Sequence, residues 1–566
     1  MSEEETTRHA EWPLRPWVLA GMLGIAGLLV WLVSADFKHD MEPWRAALTA
    51  LCFFGPLALA FVLERDMWRE PAIFAAIVGL VMAGIAWRVA SADQYYDSSA
   101  FWLAAGVVAS ALALPLFQAG FHRQLWKTSY SETHYHVWTD AITAGGALAF
   151  VGLSWLVLGL LSELFHAIKI DVLRELMRRE WFGWTFSGVA FGAALGTLRN
   201  QLKVIGTLQN VVLLVFSLLA VPMAAALTLF LLSVALSGLD VLWEATRSAT
   251  PLLLSCAVGC FVLANSVLRD ADAAASQSRV MRIAAFVLSV GILPLGVLAA
   301  ISMGTRIAEY GLTPQRIWAF ITVIVAVAYG IAYFLSAIRS RKHGWDTLRQ
   351  SNLHLAVATC VLAFLLAMPI LDFGAISARN QVARLNAGKV NVEDFDYDAL
   401  RWDFGDSGRE VLATLTKNSD PQVAKLAREA EQRESRPHRW LDENRDKREE
   451  RIANLRIDAA DAVLQVAIRE DVRTNPYLCM TPCVAIDAGP RPGGGRWVAY
   501  VQNGTVNRRV LLREKGTPGE DSFVLDVGNV PGPQNPEQKA DSQVEIREWK
   551  GRRVYIDGKP AGDPFE

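Results

Sequence analysis

Ten separate runs of about 20 mostly apolar residues occupy the first two thirds of this chain, and nothing else constrains its fold as strongly. Backbone that crosses lipid must satisfy its own polar groups, and a helix of that length does so. The runs lie near residues 17–35, 46–63, 71–90, 100–121, 138–163, 207–236, 250–268, 283–303, 315–338 and 353–371. An eleventh segment, 181–198 (WFGWTFSGVAFGAALGTL), is shorter and glycine-rich, and reads either as a span or as re-entrant. In it Gly188, Gly192 and Gly196 recur every four residues, about one helical turn, which leaves one face bare. That pattern predicts a tight packing seam with a second helix; a hinge or a substrate groove is the weaker reading.

Charge divides the chain at residue 373. Residues 1–372 hold 25 basic and 25 acidic side chains, and residues 373–566 hold 30 and 32 in half the length. Such density is too costly for lipid-facing helices. Four regions follow: a polar tail (1–16), a transmembrane bundle (17–372), a soluble helical juxtamembrane segment (373–475) and a small β-rich domain (476–566). In the last region WVAYVQ, RRVLLRE, SFVLDV, VEIREW and RRVYI carry strand signals, and Asp557-Gly558 is a hairpin turn. The expected fold is an α-helical polytopic membrane bundle of 10–11 transmembrane helices. A soluble α+β C-terminal region with a small antiparallel β domain follows it.

Net charge is near zero on both sides of the boundary, so no basic stripe is present for nucleic acid. No glycine loop ends in Lys-Ser/Thr, which argues against ATP-driven transport by this chain. The residue pattern calls for no cofactor. With the N-terminus inside and eleven spans, inside segments carry 15 basic residues and outside segments 10, which favours that orientation. Eleven spans put residues 373–566 outside; ten would put them inside. An outside location would make a Cys479–Cys483 bond plausible.

Polar residues at membrane depth are the candidate functional groups. Asp140, Glu163 and His166 lie on one span and suggest a proton relay; the plainer reading puts all three at interfaces. His134 and His136 with Asp140 make only a weak metal motif. Ser154 and Ser187 are remote candidates for a nucleophile. Arg306, Glu309 and Tyr310, in RIAEYGLTPQR, form the sharpest group. They read either as an anion-binding site at the membrane surface or as a turn locked by capping and an Arg306–Glu309 pair.

The segments RIAEYGLTPQR (306–316), ATRSATPLLL (245–254), DFGAISARNQVARLNAG (372–388) and FDYDALRWDFGDSGREVL (395–412) resemble a bacterial membrane family catalogued as domain of unknown function 4153. The resemblance is strongest over 200–415 and implies a bacterial inner-membrane protein. The family carries no established activity, so no catalytic residue is transferred. The bilayer is the expected environment. A non-catalytic envelope protein that binds an envelope partner through residues 373–566 is the favoured reading. A secondary transporter of a small solute and a membrane enzyme acting on lipid-linked substrates are the alternatives.

Overall fold

The computed structural model describes residues 12–34, 42–92, 99–238, 249–343, 345–434, 436, 447–491, 494–502, 505–511, 543–548, 552–556 and 558–565. Two compact units divide the chain, Met1–Gln432 and Arg433–Glu566.

The first unit is helical. Its long helices are α1 (Arg15–Ser34), α2 (Pro43–Val62), α3 (Arg69–Ser91), α4 (Ser99–Gln118), α5 (Tyr130–Ala167), α6 (Glu180–Asn200), α7 (Leu202–Ser237), α8 (Ala249–Leu268), α9 (Arg279–Tyr310), α10 (Pro314–His343) and α11 (Asp346–Ala367). All but α6 are long and apolar enough to cross a membrane. These ten coincide with the ten apolar runs. The outward face of α5 is a stripe of exposed Leu153, Leu156, Leu160 and Leu164, the reverse of a water-soluble helix. On α9 the buried residues Ala285, Leu288, Ile292, Leu295 and Ala299 recur at three and four, and they pack against Ala257, Cys260 and Ala264 of α8.

Contacts between helix ends give the bundle its sense. At one end Arg15 at the start of α1 meets Glu64 just beyond α2 and Arg199 near the end of α6. At that end Gln118 closes α4 on the Phe61 carbonyl of α2, and Arg349 near the start of α11 reaches the Leu268 carbonyl at the end of α8. At the other end Arg88 of α3 meets the Ala367 carbonyl of α11, and Thr250 of α8 meets Ser302 of α9. Thr250, well placed in the sequence to cap α8, instead spends its hydroxyl on this interhelical bond.

Three shorter helices follow α11: α12 (Phe373–Asn386), α13 (Gly405–Leu415) and α14 (Pro421–Glu431). Asp372 caps α12 and Asp420 caps α14, each accepting from a backbone N–H just inside the helix. Phe395, Tyr397, Leu400, Phe404, Leu412, Leu415 and Val423 make their common core.

The second unit is α/β. Strands β1 (Leu455–Asp458), β2 (Cys483–Pro490), β3 (Arg496–Gln502) and β4 (Thr505–Leu511) form one sheet in that order. Between β1 and β2 runs α15 (Ala462–Thr474). Strands β5 (Val544–Glu548), β6 (Arg552–Ile556) and β7 (Lys559–Phe565) form a second sheet. The strands of residues 476–566 pair antiparallel, as expected, and β1, upstream of them, adds a parallel pairing with β2. Parallel neighbours need a crossover, and α15 supplies it.

The first sheet is covered on both faces. Val484, Ile486, Ala499 and Val501 face Val544, Val554 and Ile556 of the second sheet. The alternate residues Cys483, Ala485, Val498 and Tyr500 face Leu464, Ile468 and Val472 of α15. The expected hairpin turn is seen in the pairing of Ile556 with Lys559 and in a positive φ of 77° at Gly558, while Asp557 lies outside the described residues. The segment SFVLDV lies outside the described residues.

Candidate functional site

The glycine seam brings two helix backbones close together. Gly188, Gly192 and Gly196 of α6 lie against α1, at Leu23, Leu19 and Pro16 respectively. Gly27 of α1 returns the contact at Trp184. Rising numbers on one helix meet falling numbers on the other, so the pair is antiparallel. A Cβ on Gly188 would stand 2.2 Å from the Leu23 carbonyl oxygen, and one on Gly192 would stand 2.3 Å from that of Leu19. Only hydrogen fits there. Such distances also bring Cα–H groups onto carbonyl oxygens, a weak attraction repeated down the seam.

Asp140 belongs to a polar cluster at the N-terminal end of this seam. Glu64 accepts from Arg15 at 2.8 Å and from Arg199 at 2.8 Å. Arg199 also donates to the Ala60 carbonyl, and Arg15 donates to the Arg199 carbonyl. Gln118 bonds the neighbouring Phe61 carbonyl and reaches Asp140 at 3.2 Å. Five helices therefore share one set of charges. Among the described residues the buried oxygens Asp140 Oδ2, Gln118 Oε1 and Asn200 Oδ1 have no protein partner, so the cluster has acceptor capacity to spare.

Asp140 is not brought to Glu163 or His166. Twenty-three residues of straight helix, about 35 Å, separate it from Glu163. His166 closes a local turn instead, with its Nδ1 2.5 Å from Asp171 and its Nε2 3.2 Å from Arg174. Glu163 is exposed nearby. His134 is buried and its Nε2 accepts from Trp138 at 3.1 Å, so that lone pair is already used. Among the described residues no cluster of three His, Cys, Asp or Glu side chains could hold a metal ion. Ser154 donates to the Phe150 carbonyl in its own helix, and Ser187 accepts from Trp155.

A second polar cluster escaped the sequence reading. Asn265 of α8 donates to the Tyr333 hydroxyl of α10 at 2.5 Å. Asn352 of α11 donates to Asn265 at 3.0 Å and to the Tyr130 hydroxyl of α5 at 3.3 Å. Tyr333 is fully buried and both asparagines are nearly so. One turn away Arg349 pairs with Asp272 and Asp346, each at 2.8 Å, and caps the last carbonyls of α8. Asn265 and Tyr333 lie within apolar runs, and Asn352 lies just before one. An asparagine inside a run was the available signal.

Arg306, Glu309 and Tyr310 lie where α9 ends. Gly311 turns the chain with φ of 74°. Arg384 of α12 donates to the carbonyls of Ala308 and Glu309, Arg316 to those of Tyr310 and Gly311, and Gln381 to those of Tyr310 and Leu312. Asn380 accepts from the Leu312 N–H. Two guanidinium groups thus satisfy the negative end of the α9 dipole and fasten the soluble helices to the bundle. Main-chain carbonyls lock this turn, and Arg384, 78 residues downstream of Arg306, is the key that local sequence could not reveal.

In the second unit Cys479 and Cys483 lie within disulfide-bonding distance, their Cα atoms 5.0 Å apart, and both are buried. On the α15 face the Tyr500 hydroxyl donates to Asp471 at 2.9 Å, and Arg509 pairs with the same carboxylate at 2.8 Å. Burial, reinforced by the Asp471 charge, pushes the Tyr500 phenol well above its ordinary value.

The architecture defines a multi-pass helical membrane protein. Within that class, residues 46–415 match the family described as a domain of unknown function (DUF4153), and the chain belongs to it. The match begins in α2 and ends with α13. No curated protein and no solved structure matches the chain.

Proposed function

We propose that this is a non-catalytic protein of the bacterial inner membrane that carries residues 373–566 on the periplasmic side, where they bind an envelope partner. The carrying observation is the antiparallel run of α6 along α1 from Pro16 to Gly27. A helix that matches a spanning helix turn for turn shares its depth, so α6 makes an eleventh crossing. An odd total puts the C-terminal portion opposite the N-terminus. The alternation of helix ends supports the same count, because Arg199 at the end of α6 joins Arg15 at the start of α1.

Two further observations favour the periplasmic side. The inside segments of an eleven-span arrangement hold more Lys and Arg. The Cys479–Cys483 pair suits an oxidising compartment. Transport has less support: α7 and α9 run unbroken through Pro222 and Pro294, whereas transporter sites are built on interrupted helices.

The partner is sought with a photo-crosslinking residue in place of Val466 or Tyr477, both exposed on the second unit, in the full-length protein in intact cells. A crosslinked envelope protein is the expected result. Crosslinks to cytosolic proteins alone would overturn the proposal.

A further inference from the structure

We infer that the corner of the bundle between α2, α3 and α4 is a headgroup site for an anionic phospholipid. Two connections meet there. Residues 63–68 join α2 to α3, and residues 119–129 join α4 to α5 through the short turns Phe121–Gln124 and Leu125–Lys127. Glu70 ties them together by pairing with Arg123 and standing 3.4 Å from His122. Just inside, Phe74 stacks on Phe117 at 4.3 Å.

The side chains at this corner have the mixed character of a lipid interface. Met67, Trp68, Leu125 and Trp126 are each more than half exposed. Trp126 is braced edge-on by Phe121 and His354. Amphipathic rings at the end of a span sit at headgroup level, with their apolar faces toward the acyl chains. Among them stand Arg65, Arg69 and Lys127, all exposed, with Arg69 lying over the Trp68 ring at 5.8 Å.

Charge bookkeeping leaves positive charge in excess at this corner. Glu64 is committed to Arg15 and Arg199, and Glu70 to Arg123. Asp66 is the remaining carboxylate of the corner. Counting Asp140, which shares the Arg15, Glu64 and Arg199 cluster, six cations face four carboxylates. Positive charge beside exposed tryptophan, at the ends of three spanning helices, fits a phosphodiester whose acyl chains continue down the bundle. A free phosphate would use the charges and leave Met67, Trp68, Leu125 and Trp126 in water.

The test uses the full-length protein in detergent, titrated separately with phosphatidylglycerol and phosphatidylcholine, with bound lipid counted by native mass spectrometry. Phosphatidylglycerol should be retained in preference. The combined substitution Arg65→Gln, Arg69→Gln and Lys127→Gln should weaken it about a hundredfold, at about one kcal/mol per charge, and leave phosphatidylcholine unchanged. Arg279→Gln with Arg282→Gln, at the same end of the bundle on α9, should leave the preference intact. Inorganic phosphate should not displace the lipid. Unchanged phosphatidylglycerol binding in the triple variant, equal loss in the α9 variant, or displacement by phosphate would each overturn the inference.

Discussion

The two halves of the membrane bundle are held together by different chemistry. In the first half, α1 and α6 meet backbone to backbone through glycine. In the second, α8, α10 and α11 meet α5 through a chain of buried amide and phenol groups. Lipid removes the hydrophobic drive between helices, so association rests on close packing or on polar bonds. Close packing tolerates no added atom. A polar chain tolerates loss of one member more easily, because its partners can find new bonds.

The contrast orders the effects of substitution. Gly192→Leu drives a side chain into the Leu19 carbonyl and should cost about 3 kcal/mol, or prevent assembly altogether, read as loss of folded protein by size-exclusion chromatography. Retention of wild-type stability would break the distinction between the halves. Glu64→Gln leaves Arg15 and Arg199 without a carboxylate at the end of the same seam. Glu64 is about one-third exposed, so the loss should be nearer 2 kcal/mol than the larger figures for fully buried pairs. A thermal-unfolding series in detergent measures it. Asn352→Leu in the other half should cost only about 1 kcal/mol in the same series.

The second unit supplies a pH dependence of its own. Tyr500 is held neutral in the fold, whereas in the unfolded chain it ionises near its ordinary value of 10.0. Below that pH the phenol is neutral in both states and contributes no slope. Above it the unfolded chain loses protons that the folded chain keeps, so stability falls as pH rises. Hydrogen exchange across residues 455–511 of the full chain should accelerate above pH 10, and Tyr500→Phe should flatten that slope. The smallest effect is expected at the C-terminal end of α5. His166→Gln removes an exposed contact and should change stability by at most about 0.5 kcal/mol.

Legibility in the sequence followed the range of the forces involved. The ten apolar runs were visible because crossing lipid imposes a length on consecutive residues. The α6 seam was visible as a spacing, although its partner was not. Asn265 and Asn352 stand 87 residues apart, and no local pattern joins them. The same holds for Arg384 and the end of α9. In the soluble unit β3, β5 and β6 alternate clearly. Strand β1 is only four residues long, and β7 carries two prolines that are tolerable on an edge and misleading in sequence. Asp140, Glu163 and His166 share a helix, but a helix 38 residues long separates its ends rather than uniting them.

The most direct test of the topology is the side of the membrane on which each terminus lies. Paired reporters, one active only in the cytoplasm and one only in the periplasm, are fused before Met1 and after Glu566 of the intact chain. With α6 crossing beside α1, the N-terminal fusion should report the cytoplasm and the C-terminal fusion the periplasm. Both termini on one side would mean an even number of crossings, and would contradict the eleventh span and the periplasmic placement that depends on it.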